Sequence, residues 1–390
     1  MILFEEALRL VESSAIRLPA IKVPLNEACG HVLAADVFSD MEMPPFDKAA
    51  VDGFACRRAD LGLFLTVTET IAAGKWPEMD VKEGECARIM TGAPVPQGAD
   101  CVFMVEDSET ATDGRVRFTA SRTSNNIAFK SEDIREGDKV LDKNTLLKPQ
   151  HIAILASVGQ HNPEVIRKPV VGIISTGDEL VEPDIIPGPS QIRNSNAWQL
   201  IAQVQSAGAI ALYAGIAVDT PESTREIIES VMNQSDIIIL TGGVSMGEFD
   251  FVPAVLLENG IEILFKSIAV QPGRPTVFGR RQDTYFFGLP GNPVSAFVQF
   301  ELLVRPLIHL LQGSDYSPPG FNLPLGKEIK RKKAVRKSFI PVNIRNGKVF
   351  PVDYHGSAHI HSYVHADGIV AVEMGQSIIE EGTIIHVRSI

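Results

Sequence analysis

Four short segments follow apolar runs and are rich in carboxylates, hydroxyls, glycine and proline: STGDEL (175–180), VDTPE (218–222), TGGVSMGEFD (241–250) and PGNPVS (290–295). Glu179, Asp219 and Asp250 lie at comparable depth behind three different runs, with Asp178 and Glu248 beside them. Carboxylates that converge beside a phosphate cradle are the arrangement that holds Mg2+ on a phosphoanhydride. The competing reading is that each acid caps a helix or turn, and Asp219 taken alone fits either. Three acids at one edge favour the metal reading. The cradle itself is TGGVSMG, where Gly242, Gly243 and Ser245 offer backbone N–H groups and a hydroxyl to phosphate. An ordinary tight turn has the same look. The loop is neither a GxGxxG fingerprint nor a Walker A sequence, because no lysine holds the required place, and this disfavours a plain dinucleotide enzyme or a P-loop ATPase.

SIAVQPGRPTVFG (267–279) adds Arg274 and Pro275. Its prolines fix the backbone and an arginine grips an oxyanion with two parallel hydrogen bonds, although an exposed turn arginine is equally common. In GLPGNPVS (288–295), Asn292 sits where an N-cap belongs and Pro293 at the first helical position. Pro290, Asn292 and Pro293 then form a rigid wall that turns Ser295 and the helix N–H groups toward an anion. The tail carries His355, His359, His361 and His365. No cysteine or carboxylate completes a standard zinc spacing, so surface or satisfied histidines are the favoured reading; in a strand, 359 and 361 would share a face. KEIKRKKAVRK (327–337) is the one basic run. It reads as a solvated or sheet-edge surface, with an anion-facing loop as the other possibility.

These residues need a scaffold that brings strand exits together. From 170 onward, apolar strand-type runs (PVVGIIS, AIALYAGIA, SDIIIL, TYFFGL) alternate with helical patterns (QLIAQVQSAGA, TPESTREIIESVMNQ, FVPAVLLENG and the segment after GLPGNPVS). That alternation predicts a parallel, doubly wound α/β domain over 168–316, and ligands of such sheets bind beyond the carboxyl ends of the strands. Residues 3–14 read as an amphipathic helix, 20–39 as extended chain and 149–158 as a helix, which together make a linking domain of 1–48 and 142–167. Short strand-like runs within 49–141 predict an inserted small β domain, and alternating strands within 317–390 a small β-barrel or sandwich.

The chain has 390 residues and a formal net charge of −12. The length implies several domains, and the charge argues against nucleic-acid or anionic-membrane partners while leaving room for a local basic pocket. Cys29, Cys56, Cys86 and Cys101 show no CxxC spacing, which fits a reducing compartment and no disulfide framework. MILFEEALRLVESS carries acids within its apolar pattern, unlike a signal or transit peptide, and no run approaches the ~20 apolar residues of a membrane span. A cytoplasmic protein is expected.

PPFDKAAVDGFA (44–55), IMTGAPVP (89–96), STGDEL, IRNSN (192–196), TGGVSMGEFD, QPGRP (271–275), GLPGNPVS and the GS-containing tail occur in one order across the chain. In that order they resemble the molybdopterin molybdenumtransferase family, MoeA, which is related to the gephyrin E domain. The resemblance implies a helical linking region, an inserted small β domain, a molybdopterin-binding α/β domain and a C-terminal β-barrel. It implies an elongated homodimer that inserts molybdate into the dithiolene of adenylated molybdopterin and releases AMP, with a divalent cation, usually Mg2+. It assigns Glu179, Asp219 and Asp250 to the metal or phosphate site with Asp178 beside them. Asp52 and Thr91 would reach the cleft from the β domain of the partner subunit. Gly242, Gly243 and Ser245 would cradle the pterin nucleotide, and Arg274, Pro275, Ser295 and Ser357 would form the molybdate side. The molybdopterin adenylyltransferase is a candidate partner. The chain departs from the family pattern where Ala128 and Pro341 replace arginines, Ser131 a glycine and Gln271 a frequent lysine. Adenylation of the pterin, a non-catalytic pterin scaffold and the use of tungstate are the competing functional readings.

Overall fold

PVVGIIS, SDIIIL and TYFFGL lack polar alternation and are rich in β-branched and aromatic residues, which suits strands buried on both faces. In the computed structural model, which describes residues 1–243, 252–314, 316–354 and 356–390, they form the strands Val170–Thr176, Ile237–Thr241 and Thr284–Leu289. Val170–Thr176 pairs in parallel with Ile210–Ala217 on one side and Ile237–Thr241 on the other, and Ile237–Thr241 pairs in parallel with Thr284–Leu289. The registers set Thr176 opposite Ala217, Ser175 opposite Thr241, and Thr241 opposite Leu289, so the four strands end level.

Side chains alternate across this sheet. Ile237, Ile239, Tyr285 and Phe287 pack into one core with the helices Ser195–Ser206 and Pro293–Gln299. Ile238, Leu240 and Phe286 pack into the other with Pro221–Met232 and Val252–Glu258. Thr220 caps Pro221–Met232 by accepting from the Ser223 N–H at 3.2 Å, with Pro221 at its first turn. Pro293–Gln299 runs on through a π-helical turn, Phe300–Val304, into Arg305–Leu311. The stretch Pro293–Leu311 is long and apolar enough to cross a membrane, but 78% of its apolar window is buried within the core.

Beyond the parallel strands the sheet is mixed. Two strands, Val277–Arg281 and Glu262–Phe265, extend the sheet antiparallel beyond Thr284–Leu289. Arg281 pairs with Thr284 across a turn with Gln282 at φ 54°, and Gln-Asp lacks the Asn-Gly signature by which such hairpins are read.

Helix Phe4–Ser14 packs on the α/β core, and Tyr285 fastens it: its hydroxyl donates to the Ser14 carbonyl at 2.7 Å and accepts from the Ile16 N–H at 2.9 Å. The linking region adds Ala20–Lys22, Glu164–Ile166 and Val32–Leu33 in one sheet and the helix Pro149–Ser157. AVDGFA contributes the strand Gly53–Cys56, which lies between Glu85–Ile89 and Cys101–Met104 in the sheet of the small β domain. Ser131 takes a left-handed backbone with φ 62°, the region that favours glycine. The chain re-enters the linking region where Lys139–Leu141 pairs with Val37–Phe38.

The C-terminal strands Lys337–Arg345, Gly368–Val372, Ile384–Ser389 and Gly320–Pro324 form one sheet with Lys348–Pro351 at its other end. A bridge from Leu325 to Val349 closes it into a small barrel. The sheet also takes in Val270–Gln271 of the preceding domain, paired with Lys337–Ser338.

Replacing Tyr285 with Phe leaves the part-buried Ile16 N–H and the buried Ser14 carbonyl without this partner. The expected outcome is a loss of about 1–3 kcal/mol, read as a lower unfolding midpoint in calorimetry. An unchanged midpoint would show that the hydroxyl does not fasten the N-terminal helix.

Candidate active site at the strand ends

The level strand ends enclose a cavity of about 730 Å³. Its wall comprises Ser175, Thr176, Gly177 and Glu179 from the first exit, Asp219 from the second, Thr241–Gly243 from the third and Pro290–Pro293 from the fourth, with Pro275 alongside. Arg193–Asn196, at the start of helix Ser195–Ser206, form a further side, and Ala358 and Ile360 close it from the C-terminal domain.

Glycine is required at two of these positions. Gly242 has φ 100°, and a Cβ there would lie 2.5 Å from the Thr176 carbonyl oxygen. Its N–H is tied to the Leu289 carbonyl at 3.1 Å, so bare backbone forms the wall between neighbouring exits. Gly177 takes φ 148°, a backbone that favours glycine, and the Glu179 carboxylate folds back over it.

The acids divide their tasks. Glu179 and Asp219 both line the cavity. Asp178 does not; it clamps two exits together, accepting from the Asp219 N–H at 2.9 Å while its own N–H donates to Asp219 Oδ2 at 3.4 Å. Asp250, Glu248 and Ser245 lie outside the described residues. Among the described residues no three His, Cys, Asp or Glu side chains stand together as a metal cage. Two carboxylates beside Thr176 Oγ1, which is buried and has no hydrogen-bond partner among the described residues, are hard oxygen donors, which is the chemistry that suits Mg2+.

The IRNSN segment has roles that residue type and spacing left unassigned. Asn194 is buried, caps its helix by accepting from the Ala197 N–H at 3.3 Å, accepts from Ser175 Oγ at 3.0 Å and donates to the Tyr213 hydroxyl at 2.9 Å. That hydroxyl donates to Glu182 Oε1 at 2.5 Å, and burial together with the carboxylate pushes its pKa up. Asn196 joins two exits, its Nδ2 donating to Thr241 Oγ1 at 2.9 Å and to the Gly291 carbonyl at 2.8 Å. Its Oδ1 is buried with no partner among the described residues. An asparagine just ahead of an apolar helical pattern is the signal that finds Asn194; nothing comparable marks Asn196. Arg193 is the cation of the lining among the described residues.

Pro290, Asn292 and Pro293 line the cavity as the wall reading expects, but Asn292 does not cap with its side chain. Its Nδ2 donates instead to Ser357 Oγ at 3.0 Å, and the Val294 N–H is taken by the Ser357 carbonyl at 3.1 Å. Ser357 thus pins the turn to the C-terminal domain and occupies one of the helix N–H groups expected to face an anion. Ser295 is buried and absent from the lining. Arg274 is exposed and its side chain does not line the cavity, whereas Pro275 does. Ala128, Gln271 and Pro341 are also absent from the lining.

Asp52 and Thr91 meet on the small β domain, where the Thr91 N–H and hydroxyl both donate to Asp52 Oδ1 at 2.6 Å. Those bonds, the hydroxyl's first, hold the Asp52 pKa below the usual carboxylate range. No residue of 49–141 lines the cavity of its own chain. The histidine tail forms a short 3-10 helix, Ile360–His365, rather than a strand, so His359 and His361 share no strand face. The rings of His361 and His365 stand 6.2 Å apart, and His355 lies outside the described residues.

Residues 2–159 match the MoeA N-terminal region (domain I and II), 172–310 the family described as "Probable molybdopterin binding domain", and 322–390 the MoeA C-terminal region (domain IV). A molybdopterin molybdenumtransferase of Staphylococcus epidermidis is 31% identical over 98% of this chain and 94% of its own. The Haemophilus influenzae protein of that name is 33% identical over 93% and 92%. The crystal structure of the molybdopterin biosynthesis MoeA protein of Pyrococcus horikoshii matches with a TM-score of 0.84 at 31% identity, covering 100% of this chain and 99% of that one.

Two outcomes follow from the geometry. Thr91→Val removes the hydroxyl and raises the Asp52 pKa toward the ordinary value, measured by carboxyl NMR titration; in the unaltered protein the Asp52–Thr91 contact persists above that depressed pKa and is lost as pH falls through it. Gly242→Ala meets both the left-handed backbone and the Thr176 carbonyl. It is expected to destabilise the protein by about 1–3 kcal/mol, read as a lower unfolding midpoint in calorimetry, and an unchanged midpoint would show that the close approach is not strict.

Proposed function

The chain belongs to the MoeA family, whose curated relatives are molybdopterin molybdenumtransferases, and we propose from that membership how its strand-end cavity works. The protein acts in molybdenum cofactor biosynthesis. Adenylated molybdopterin occupies the cavity, molybdate is inserted into its dithiolene, and AMP departs. The observation that carries this reading is the convergence of Glu179, Asp219 and the Gly242–Gly243 backbone on one cavity.

Each group has a task there. The bare backbone at 242–243 admits a phosphate closer than any side chain would allow. Thr176 Oγ1 and Asn196 Oδ1, both buried without partners among the described residues, are positioned to bond the nucleotide or pterin edge, which would relieve the cost of their burial. Glu179 and Asp219 would hold a divalent cation, taken to be Mg2+, which supplies charge neutralisation on the phosphoanhydride. The Asp178 clamp keeps the Asp219 exit against the Glu179 exit, so the two carboxylates stay preorganised.

The working unit in this reading is a cytoplasmic homodimer. Asp52 and Thr91 are ordered against each other on a domain that does not line its own chain's cavity, which supports their delivery to the cavity of a partner subunit.

The test is AMP release from adenylated molybdopterin in the presence of Mg2+ and molybdate. Glu179→Ala and Asp219→Ala are each expected to slow release by a factor of about 10²–10³, the size of effect that follows loss of one preorganised electrostatic contact. Absence of release by the unaltered protein, or release insensitive to both substitutions, would sink the reading.

A further inference from the structure

The charge of the strand-end cavity poses a difficulty for its second substrate. Its charged lining among the described residues is Glu179 and Asp219 against Arg193 alone. A tetrahedral dianion approaching that wall meets two carboxylates and one guanidinium, and then an anionic phosphoanhydride. Among the described residues, Arg193 alone in that lining attracts it.

A second cleft does the opposite. The basic run folds around a space of about 860 Å³, walled by Lys327, Lys330, Arg331, Lys332, Lys333 and Arg336 and opposed by Glu328 and Asp353. Lys330 is paired with Glu328 at 2.6 Å. Lys327, Lys332, Lys333 and Arg336 make no salt bridge among the described residues. Arg331 holds the run in shape, donating to the carbonyls of Gln376 at 2.6 Å and Arg336 at 2.7 Å, to the Glu373 carbonyl and to Ser338 Oγ at 2.6 Å. The cations are therefore gathered on an ordered loop, on a molecule whose overall charge is −12. On such a molecule a concentrated basic cleft focuses the field that draws small anions.

One loop connects the two spaces. Gln271 and Pro272 line the basic cleft and Pro275 lines the strand-end cavity. The loop is anchored at both ends, because Val270–Gln271 pairs with Lys337–Ser338 and Gln299 Nε2 donates to the Pro272 carbonyl at 2.8 Å. Arg336 bonds the Val270 carbonyl at 3.3 Å, which sets its guanidinium at the head of the loop.

We propose that the basic cleft is a gathering site for the oxyanion substrate: a tetrahedral dianion is concentrated there and passes along the Gln271–Pro275 loop into the strand-end cavity. The inference rests on the reaction proposed above, with molybdate as the dianion. The cleft is far larger than one tetrahedral ion, so it holds the ion hydrated and selects by charge rather than by shape. Choice among molybdate, tungstate, sulfate and phosphate is left to the cavity.

The experiment measures steady-state AMP release against molybdate concentration for the unaltered protein, for Lys332→Glu/Lys333→Glu and for the neutral pair Lys332→Gln/Lys333→Gln. The glutamate pair is expected to raise the KM for molybdate about tenfold, within the range of electrostatic steering, and the glutamine pair to give a smaller rise. The kcat at saturating molybdate and the KM for adenylated molybdopterin stay within about twofold. Added salt raises the molybdate KM of the unaltered protein and narrows the gap to the variants. Sulfate and phosphate compete with molybdate in the unaltered protein more strongly than in the glutamate pair. A molybdate KM unchanged in both variants would overturn the proposal, as would a rise shared equally by the KM for adenylated molybdopterin. If the unaltered protein releases no AMP, the reaction reading fails, and calorimetric titration with sodium molybdate alone decides the cleft. Binding weakened about tenfold in the glutamate pair supports it, and equal binding in the two proteins ends it.

Discussion

Parallel pairing in register is the constraint on which the rest of this molecule depends. Val170–Thr176, Ile210–Ala217, Ile237–Thr241 and Thr284–Leu289 end level because Ser175, Thr241 and Leu289 are successive register partners. Parallel strands require crossover connections, so every chain leaving that edge must turn into a helix on one face or the other. Four turns are thereby forced together, and with them Glu179, Asp219, Gly242 and Asn292. The turns approach so closely that Gly242 has no room for a Cβ against Thr176, and Asn196 reaches from Thr241 to Gly291 with one amide. The site is thus a consequence of the sheet's edge, and its side chains are spaced by strand separation rather than by any local motif.

Much of this could be read in the sequence because it rests on periodicity and on local chemistry. Apolar runs of six to nine residues between helical patterns specify the four parallel strands, and Thr220 followed by Pro221 specifies a helix start that the structure reproduces. The strand-exit rule then places Glu179, Asp219, Gly242 and Pro290 on one cavity without any knowledge of side-chain contacts.

The remainder depended on contacts between residues far apart in the chain. Asn292 has the type and position of a capping residue, yet Ser357, 65 residues on, takes its side chain instead. Asp178 looks like a ligand beside Glu179 and is a clamp, because its partner is the backbone of another exit. The hairpin of Val277–Arg281 with Thr284–Leu289 has no glycine or asparagine-glycine turn to announce it. The basic run shows its charge in the sequence, but only the fold brings its six cations around one space and sets that space beside the Gln271–Pro275 loop. Asp52 and Thr91 meet across the ends of two paired strands, and neither lines the cavity of its own chain.

The two spaces on either side of the Gln271–Pro275 loop divide the electrostatic work of the molecule, one offering carboxylates and bare backbone, the other cations. The central claim is that the strand-end cavity is where the pterin nucleotide binds. A crystal structure of the protein with adenylated molybdopterin tests it most directly. The phosphoanhydride is expected against Gly242–Gly243, with Glu179 and Asp219 beside it and Asn196 Oδ1 and Thr176 Oγ1 newly hydrogen-bonded. A ligand found in the basic cleft, with those two oxygens still unpartnered, would contradict it.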